Sequence, residues 1–481
     1  PIVRRKVRIY SPNSASEVIS MSQISLSDLH NVYFVGIGGV SMSSLALILK
    51  KRGISVAGYD LYHSENTALL EREGIQVDYE HTLSRLEKVD TVVFTAAVND
   101  KTAPELPFAR GHNIRLLSRA ELLGAVTASY RYSVGIAGTH GKSTTTGMLC
   151  HIFLAYDSES SVIGGCHIPL IDSSYKIGSG DRVVFEACEY KDSFLSMHPS
   201  LKVILNCKLD HVDYFKDIDQ IKKSFRTFAE TPRSDVPGDN IVLADRDCEN
   251  TIDALRGIKN PLYTYSVRTD ADFCAKNITF EHGYGTFDLY RDGSCVLPAI
   301  KLSVPGLHNV SDATAAAAAA LLTGVPAEYV RKGLESFCGV SRRFEKKGTY
   351  GGALLMDDYA HHPDEITVTL SAAKALGKSR ILCVFQPHTY SRTKALLPDF
   401  AKALSLADRV YLAPIYAARE VDTGEVSSEM LAEKIPNAKA YDSFDSIAEV
   451  LENEIRPDDL VLSMGAGEAY KTLDLLLQKQ K

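Results

Sequence analysis

The chain has 481 residues, which at about 150 residues per domain predicts roughly three domains. Charged residues make up 23% and the hydrophobic set 45%, an ordinary globular composition that excludes dominant disorder and collagen-like or coiled-coil classes. The net charge of −7 argues against a general nucleic-acid binder, which needs a basic surface, but leaves small phosphate sites open, since those need only backbone amides and one or two cations.

No apolar run reaches the roughly 20 residues of a membrane helix, so no membrane insertion is expected. The alanine run Ala315 to Ala320 continues through Leu322 and stops at Gly324. The basic start (Arg4, Arg5, Lys6) is not followed by an apolar stretch, which argues against a secretory signal. The 9 cysteines are odd in number and form no CxxC pair. They read as free thiols in a reducing cytoplasm, the expected location.

Residues 1–30 form a polar, Ser-rich extension. A buried strand at Val32 to Val35 then runs into Gly36-Ile-Gly-Gly-Val-Ser41. A helix over Met42 to Arg52 follows, and a second strand, Ser55 to Tyr59, ends at Asp60. This is the strand, glycine-rich turn, helix, strand order of a dinucleotide-binding unit. The turn lacks the third glycine of that fingerprint, because Ser41 stands there. Three readings remain: a nicotinamide site with Asp60 on the ribose, a tight turn without ligand, and a diphosphate or nucleotide site without redox chemistry, which we prefer. Its candidate contacts are Gly36, Gly38, Gly39, Ser41, Met42 and Asp60. The run Thr91 to Val98 predicts another strand, and a first domain spans 31–129.

A second unit starts at Tyr132. The strand Tyr132 to Ala137 leads into Gly138-Thr-His-Gly-Lys-Ser-Thr-Thr145 and a helix to Tyr156. Gly138 and Gly141 let a phosphate approach the backbone N–H groups, and the helix N-terminus adds its dipole. Lys142 is a compact cation able to reach the β- and γ-phosphates, and the Ser143 hydroxyl suits Mg²⁺. Thr139, His140 and Thr144 complete the loop, which is shorter than the common form. Strands at Val183 to Glu186 and Val203 to Asn206 follow, and carboxyl ends of such strands face the ligand crevice. Glu186, nearby Glu189, and His211 after Asp210 therefore fall near the loop. Histidine is an unusual ligand for Mg²⁺, so His211 stands equally as a ligand and as a capping or core residue. Short alternating strands over 262–304 and an Ala-rich helix over 312–323 complete a central domain, 130–340.

A third unit, 341–481, alternates strands (Ala353 to Met356, Ile381 to Phe385, Arg409 to Ala413, Leu460 to Ser463) with helices. Two strand ends carry polar clusters, Asp357-Asp-Tyr-Ala-His-His-Pro363 and Phe385-Gln-Pro-His-Thr-Tyr-Ser-Arg392. His361 and His362 serve chemistry or a surface turn set by Pro363. His388 and Arg392 offer partners for a carboxylate. Arg342 and Arg343 are either a solvated pair or a reach toward phosphates. The predicted fold class is α/β in three domains: a Rossmann-like N-terminal domain, a central P-loop ATPase domain with a mainly parallel sheet, and a Rossmann-like C-terminal domain.

Together these motifs resemble the Mur ligases, from about Val32 to the C-terminus. Gly36-Ile-Gly-Gly is similar to the family's UDP-binding turn, Ala137 to Thr145 to its ATP loop, and Gly306-Leu-His-Asn309 to its adenine-side segment. Arg342-Arg-Phe, the Asp357 to Pro363 segment and Phe385-Gln-Pro-His resemble markers of its alanine-adding members. The resemblance implies an ATP-dependent amide ligase of peptidoglycan precursor synthesis. Its substrates would be UDP-N-acetylmuramate and L-alanine, joined at the lactyl carboxylate through an acyl phosphate, with ADP and phosphate released. It also implies ATP with two Mg²⁺ ions and a monomer or weak homodimer. By the same resemblance Lys142 binds ATP phosphates, and Glu186 and His211 hold Mg²⁺. His308, Asn309, Arg343 and Asp358 act at the nucleotide, and His388 and Arg392 contact the muramyl-alanine end. Three residues depart from the pattern: Ser41 replaces a glycine, Asp312 a second asparagine, and Thr389 an arginine.

Overall fold

The computed structural model describes residues 24–95, 98–210, 214–233, 240–418 and 420–479. The extension expected over 1–30 lies outside these residues up to Gln23, and so does His211. The described chain builds three sheets in succession.

The first has five parallel strands in the order Gln76–Asp78, Ser55–Tyr59, Asn31–Val35, Thr91–Phe94, Arg115–Ser118. The chain winds first to one side of Asn31–Val35 and then to the other. That reversal opens a crevice at the carboxyl ends of the central strands. Both faces are covered: Val32 and Phe34 join one apolar cluster, Tyr33 and Val35 another. This two-sided burial is why the strand reads as a continuous apolar run.

The second sheet has ten strands. Tyr132–Ala137 pairs in parallel with Leu201–Ile204 on one side and Arg182–Glu186 on the other. Their register sets Ile136 beside Glu186 and Ala137 beside Ile204. The segments that follow all three strands thus leave from one edge of the sheet. The alternating stretch forms an antiparallel meander of Phe273–Glu281, Tyr284–Arg291 and Ser294–Pro305. The helix expected over 312–323 is Leu307–Leu322, because Gly306, at φ 102, ends the preceding strand and lets the helix begin one turn earlier. Ala315 to Ala320 are all fully buried. Their small side chains let this helix pack closely on the loop helix Lys142–Tyr156.

The third sheet runs Glu345–Tyr350, Ala353–Asp358, Leu460–Met464, Ile381–Phe385, Arg409–Leu412, Ala438–Ala440. Only the first of these is antiparallel to its neighbour. Among the described residues no helix is long and apolar enough to cross a membrane.

Candidate active site

The strand Tyr132–Ala137 delivers Gly138 to Gly141 onto the N-terminus of Lys142–Tyr156. Gly141 takes φ 87, and a Cβ there would come within 2.6 Å of Asp312 Oδ1. No other residue fits both the torsion and the space. Lys142 folds back over the loop, donating to the Gly138 carbonyl and, at 3.1 Å, to the Thr139 carbonyl. Its ammonium also pairs with Glu189 Oε2 at 3.0 Å. Burial pushes the Lys142 pKa down, but Glu189, Cys188 and Glu186 outweigh it and hold it above the ordinary lysine value. The lysine is therefore a fixed cation at the loop mouth.

The neighbouring strand ends complete the site. Glu186 lies at the end of its strand, and its Oε1 accepts the Gly165 N–H at 2.7 Å. Cys166 hydrogen-bonds Ser143 and sits near Glu186 and Arg343; burial and then Glu186 push its thiol up to about 12. Ser143, Glu186 and Arg343 thus share a neighbour. Thr139 Oγ1 donates to the Lys208 carbonyl at 3.2 Å, and Asn206 brackets His140, accepting from its N–H at 2.8 Å and donating to its carbonyl at 3.0 Å. Thr144 lies in the first turn of the loop helix.

Asn309 is buried and donates to the Pro305 carbonyl at 2.7 Å, while His308 is exposed at the start of its helix. Asp312, three residues after Asn309, is 8% exposed. Burial, opposed by Thr145 and Arg343 and reinforced by Asp245, pushes its carboxyl up to about 8. At neutral pH it is mainly uncharged and able to donate a hydrogen bond.

Asp358 turns its carboxylate to the connection between the second and third sheets. It accepts the N–H groups of Phe344 and Ala360, both at 2.7 Å. Arg342 and Phe344, at φ 62 and 49, make that connection a strained one, held by these bonds. Arg342 pairs with Asp357 at 3.2 Å and stacks on Tyr359 and Tyr470, so it is a structural anchor and not a solvated charge. Arg343 instead sits among Glu365, Asp358, Cys166 and Glu186.

From the third sheet, His388 stacks on Tyr416 and faces His361, and its Nδ1 lies 3.4 Å from Arg392 Nη1. Burial, then His361 and Arg392, lower the His388 pKa to about 4, so the ring is neutral and accepts from the arginine. Arg392 reaches Asp210 of the central domain at 3.7 Å. Thr389, at φ 65, begins the Arg392 helix.

The N-terminal turn is built differently. The Gly36 and Ile37 amides both donate to the Tyr59 carbonyl, at 2.8 and 3.0 Å, and Gly39 N donates to the Gly36 carbonyl at 3.3 Å. The Gly38 amide donates to Asp60 Oδ2 at 2.7 Å, so Asp60 secures the turn. Met42 is 2% exposed and packs into the core beneath. Ser41 accepts from Arg119 Nη1 at 3.1 Å.

The loop, Glu186, Asn309, Arg343, His388 and Arg392 are therefore gathered at adjoining sheet edges, and the Gly36 turn with Ser41 and Asp60 forms a separate pole. Sequence reasoning passed over Arg119, Asn206, Cys166 and Glu365, and gave Glu189 no role. Glu189 alone had a local signal, its place three residues after Glu186.

Three family models match in succession: the Mur ligase family catalytic domain at residues 31–131, the Mur ligase middle domain at 136–320, and the Mur ligase glutamate ligase domain at 342–467. The UDP-N-acetylmuramate–L-alanine ligase of Clostridium novyi is 42% identical over 93% of this chain and 97% of its own. That of Caldanaerobacter subterraneus is 42% identical over 95% of this chain and 100% of its own. The crystal structure of UDP-N-acetylmuramate-alanine ligase from Thermotoga maritima superposes with a TM-score of 0.76, at 26% identity, over 94% of this chain and 99% of that one. With these three models matched in order along its three α/β units, the chain belongs to the Mur ligase family.

Proposed function

We propose that the protein joins L-alanine to the lactyl carboxylate of UDP-N-acetylmuramate, consuming ATP. Relatives sharing 42% of their residues along nearly the whole chain carry that name. The observation that supports the reading is the ion pair between Arg392 and Asp210, 3.7 Å apart, which brings Arg392, the candidate partner of a substrate carboxylate, toward the segment beside the phosphate loop.

ATP phosphates would bind the first-turn amides of Lys142–Tyr156, which have no partner within the helix, and draw Lys142 from Glu189. Arg343, amid the acidic groups, would face the transferred phosphoryl group. Ser143 and Glu186 are oxygen donors placed around Cys166, a set that fits Mg²⁺. Ser143 would hold the ion that accompanies ATP, and Glu186, with His211, a second. Bound there, Mg²⁺ supplies neutralisation of the anions that must meet. The γ-phosphoryl group passes to the carboxylate, giving an acyl phosphate and ADP. The amine of L-alanine then attacks the acyl carbon, phosphate leaves, and Arg392 holds the alanine carboxylate. The UDP moiety would lie at Ser41, with Arg119 on its diphosphate. We assign 31–129 to the UDP-substrate, 130–340 to ATP and 341–481 to the amino acid.

The test is phosphate release from ATP and Mg²⁺ with UDP-N-acetylmuramate, with and without L-alanine, alongside the product mass. Release that requires both, with a product heavier by one alanine residue, is expected. Release with glycine, serine or a peptide but not alanine would move the acceptor within the ligase class.

A further inference from the structure

Glu365 lies in the first turn of the C-terminal helix Pro363–Ala375 and faces two ways. Its Oε2 accepts the N–H groups of His361 and His362, at 3.1 and 3.3 Å, and closes the capping box of its own helix. Its Oε1 lies 3.1 Å from Nδ1 of His140, within the phosphate loop 225 residues earlier. Burial pushes the Glu365 carboxyl up, but His140, His361 and Arg343 overcome this and hold it well below the usual carboxylate range. An ionised carboxylate only accepts, so His140 Nδ1 carries the proton.

His140 is thus held from two domains. Asn206 grips its backbone from the central domain, and Glu365 grips its ring from the C-terminal domain. The carbonyls just before it, those of Gly138 and Thr139, are the ones that hold the Lys142 ammonium. A second link from this helix to the same edge, Lys208 to Asp364, is half exposed on both sides. Such pairs are screened and worth little. The His140–Glu365 pair is mostly buried, with side chains 21% and 15% exposed.

We infer that Glu365 is a positioning residue that makes the working shape of the phosphate loop depend on docking of the C-terminal domain. This rests on the ligase reading above. With the pair intact, the loop is set for phosphoryl transfer when the amino-acid domain is in place. With the pair broken, the acyl phosphate forms while the site is open. Water then attacks it, returning the carboxylate and phosphate, and ATP is spent without product.

The test compares Glu365→Gln, His140→Ala and the double variant in the full-length protein. Both ADP and the alanine-containing product are measured. Glutamine keeps an oxygen for the His361 and His362 amides, so the helix cap survives. Glu365→Gln is expected to lower kcat for product by about 10- to 100-fold, the scale of a small misplacement of reacting groups. The KM for UDP-N-acetylmuramate should stay within about twofold, and ADP formed per product should rise clearly above the wild-type ratio. The double variant should be no worse than the poorer single variant by more than about twofold, since both remove one contact. An unchanged ADP-to-product ratio in Glu365→Gln would overturn the inference and leave a structural role. Multiplying losses in the double variant would overturn it as well. A wild-type protein that makes no alanine-dependent product would remove the ligase reading, and the inference with it, a result read on the wild type alone.

Discussion

The chain uses a strand, glycine-rich turn and helix twice, and the two turns are equipped differently. At Gly138 to Gly141 the cation belongs to the motif: Lys142 stands at the start of the helix, restrained by Glu189 and two loop carbonyls. At Gly36 to Gly39 all four amides are spent inside the turn, on the Tyr59 and Gly36 carbonyls and on Asp60. What that turn presents is a helix start, Ser41 and an arginine that arrives from residue 119. At the first turn the local pattern therefore carries its own cation. At the second the fold must supply one.

Breaking the first turn should have the largest effect. Lys142→Ala removes the fixed cation, and we expect a loss of at least about 10³-fold in kcat together with a lower melting temperature, because Glu189 loses a buried ion pair. Near-normal product formation would refute its role. Gly141→Ala tests the loop's shape and not its charge, since it meets both the φ of 87 and the Asp312 carboxyl. Turnover should fall by about 100-fold, and isothermal titration should show weakened ATP binding.

Arg119→Ala sharpens the comparison from the other pole. The KM for UDP-N-acetylmuramate should rise by about tenfold, the worth of one charged hydrogen bond, with the KM for ATP unchanged. An equal rise in both would mean that the two poles are not separate.

The smallest effect is one of pH. The Asp312 carboxyl is raised to about 8 when folded, so between about pH 4 and pH 8 the folded protein holds a proton that the unfolded chain has released. Its contribution to stability therefore falls as pH rises through that window. Asp312→Asn should raise the melting temperature, by a margin that grows from pH 5 to pH 8 and then levels off. A pH-independent difference would show that Asp312 is ionised throughout.

Much of the molecule was legible before any coordinates. Strand positions, the loop and the polar clusters at strand ends follow from apolar runs punctuated by glycine, because parallel strands are buried on both faces and a phosphate excludes side chains. The helix start at Leu307 was not legible: the alanine run placed the helix at 312–323, and the φ of Gly306 marks its earlier start. Asp60 was read as a ligand contact from its place at a strand end, and Asp358 as a nucleotide contact from the family resemblance. In the structure their carboxylates accept backbone N–H groups, at Gly38 for Asp60 and at Phe344 and Ala360 for Asp358. A strand-end acid serves a ligand or a turn with the same chemistry, and only its neighbours tell which.

What the sequence by itself determined is the set of local units: three stretches of strand and helix, a phosphate loop that carries its lysine, and the family's order of motifs. These depend on short-range periodicity and on residues a few positions apart. What only the tertiary structure decided is which distant side chains complete each unit: Arg119 beside Ser41, Asn206 and Glu365 around His140, Asp210 against Arg392. Such contacts span up to 225 residues of chain. They leave no periodic trace, because a hydrogen bond depends on where two chain segments are brought together and not on their spacing along the chain.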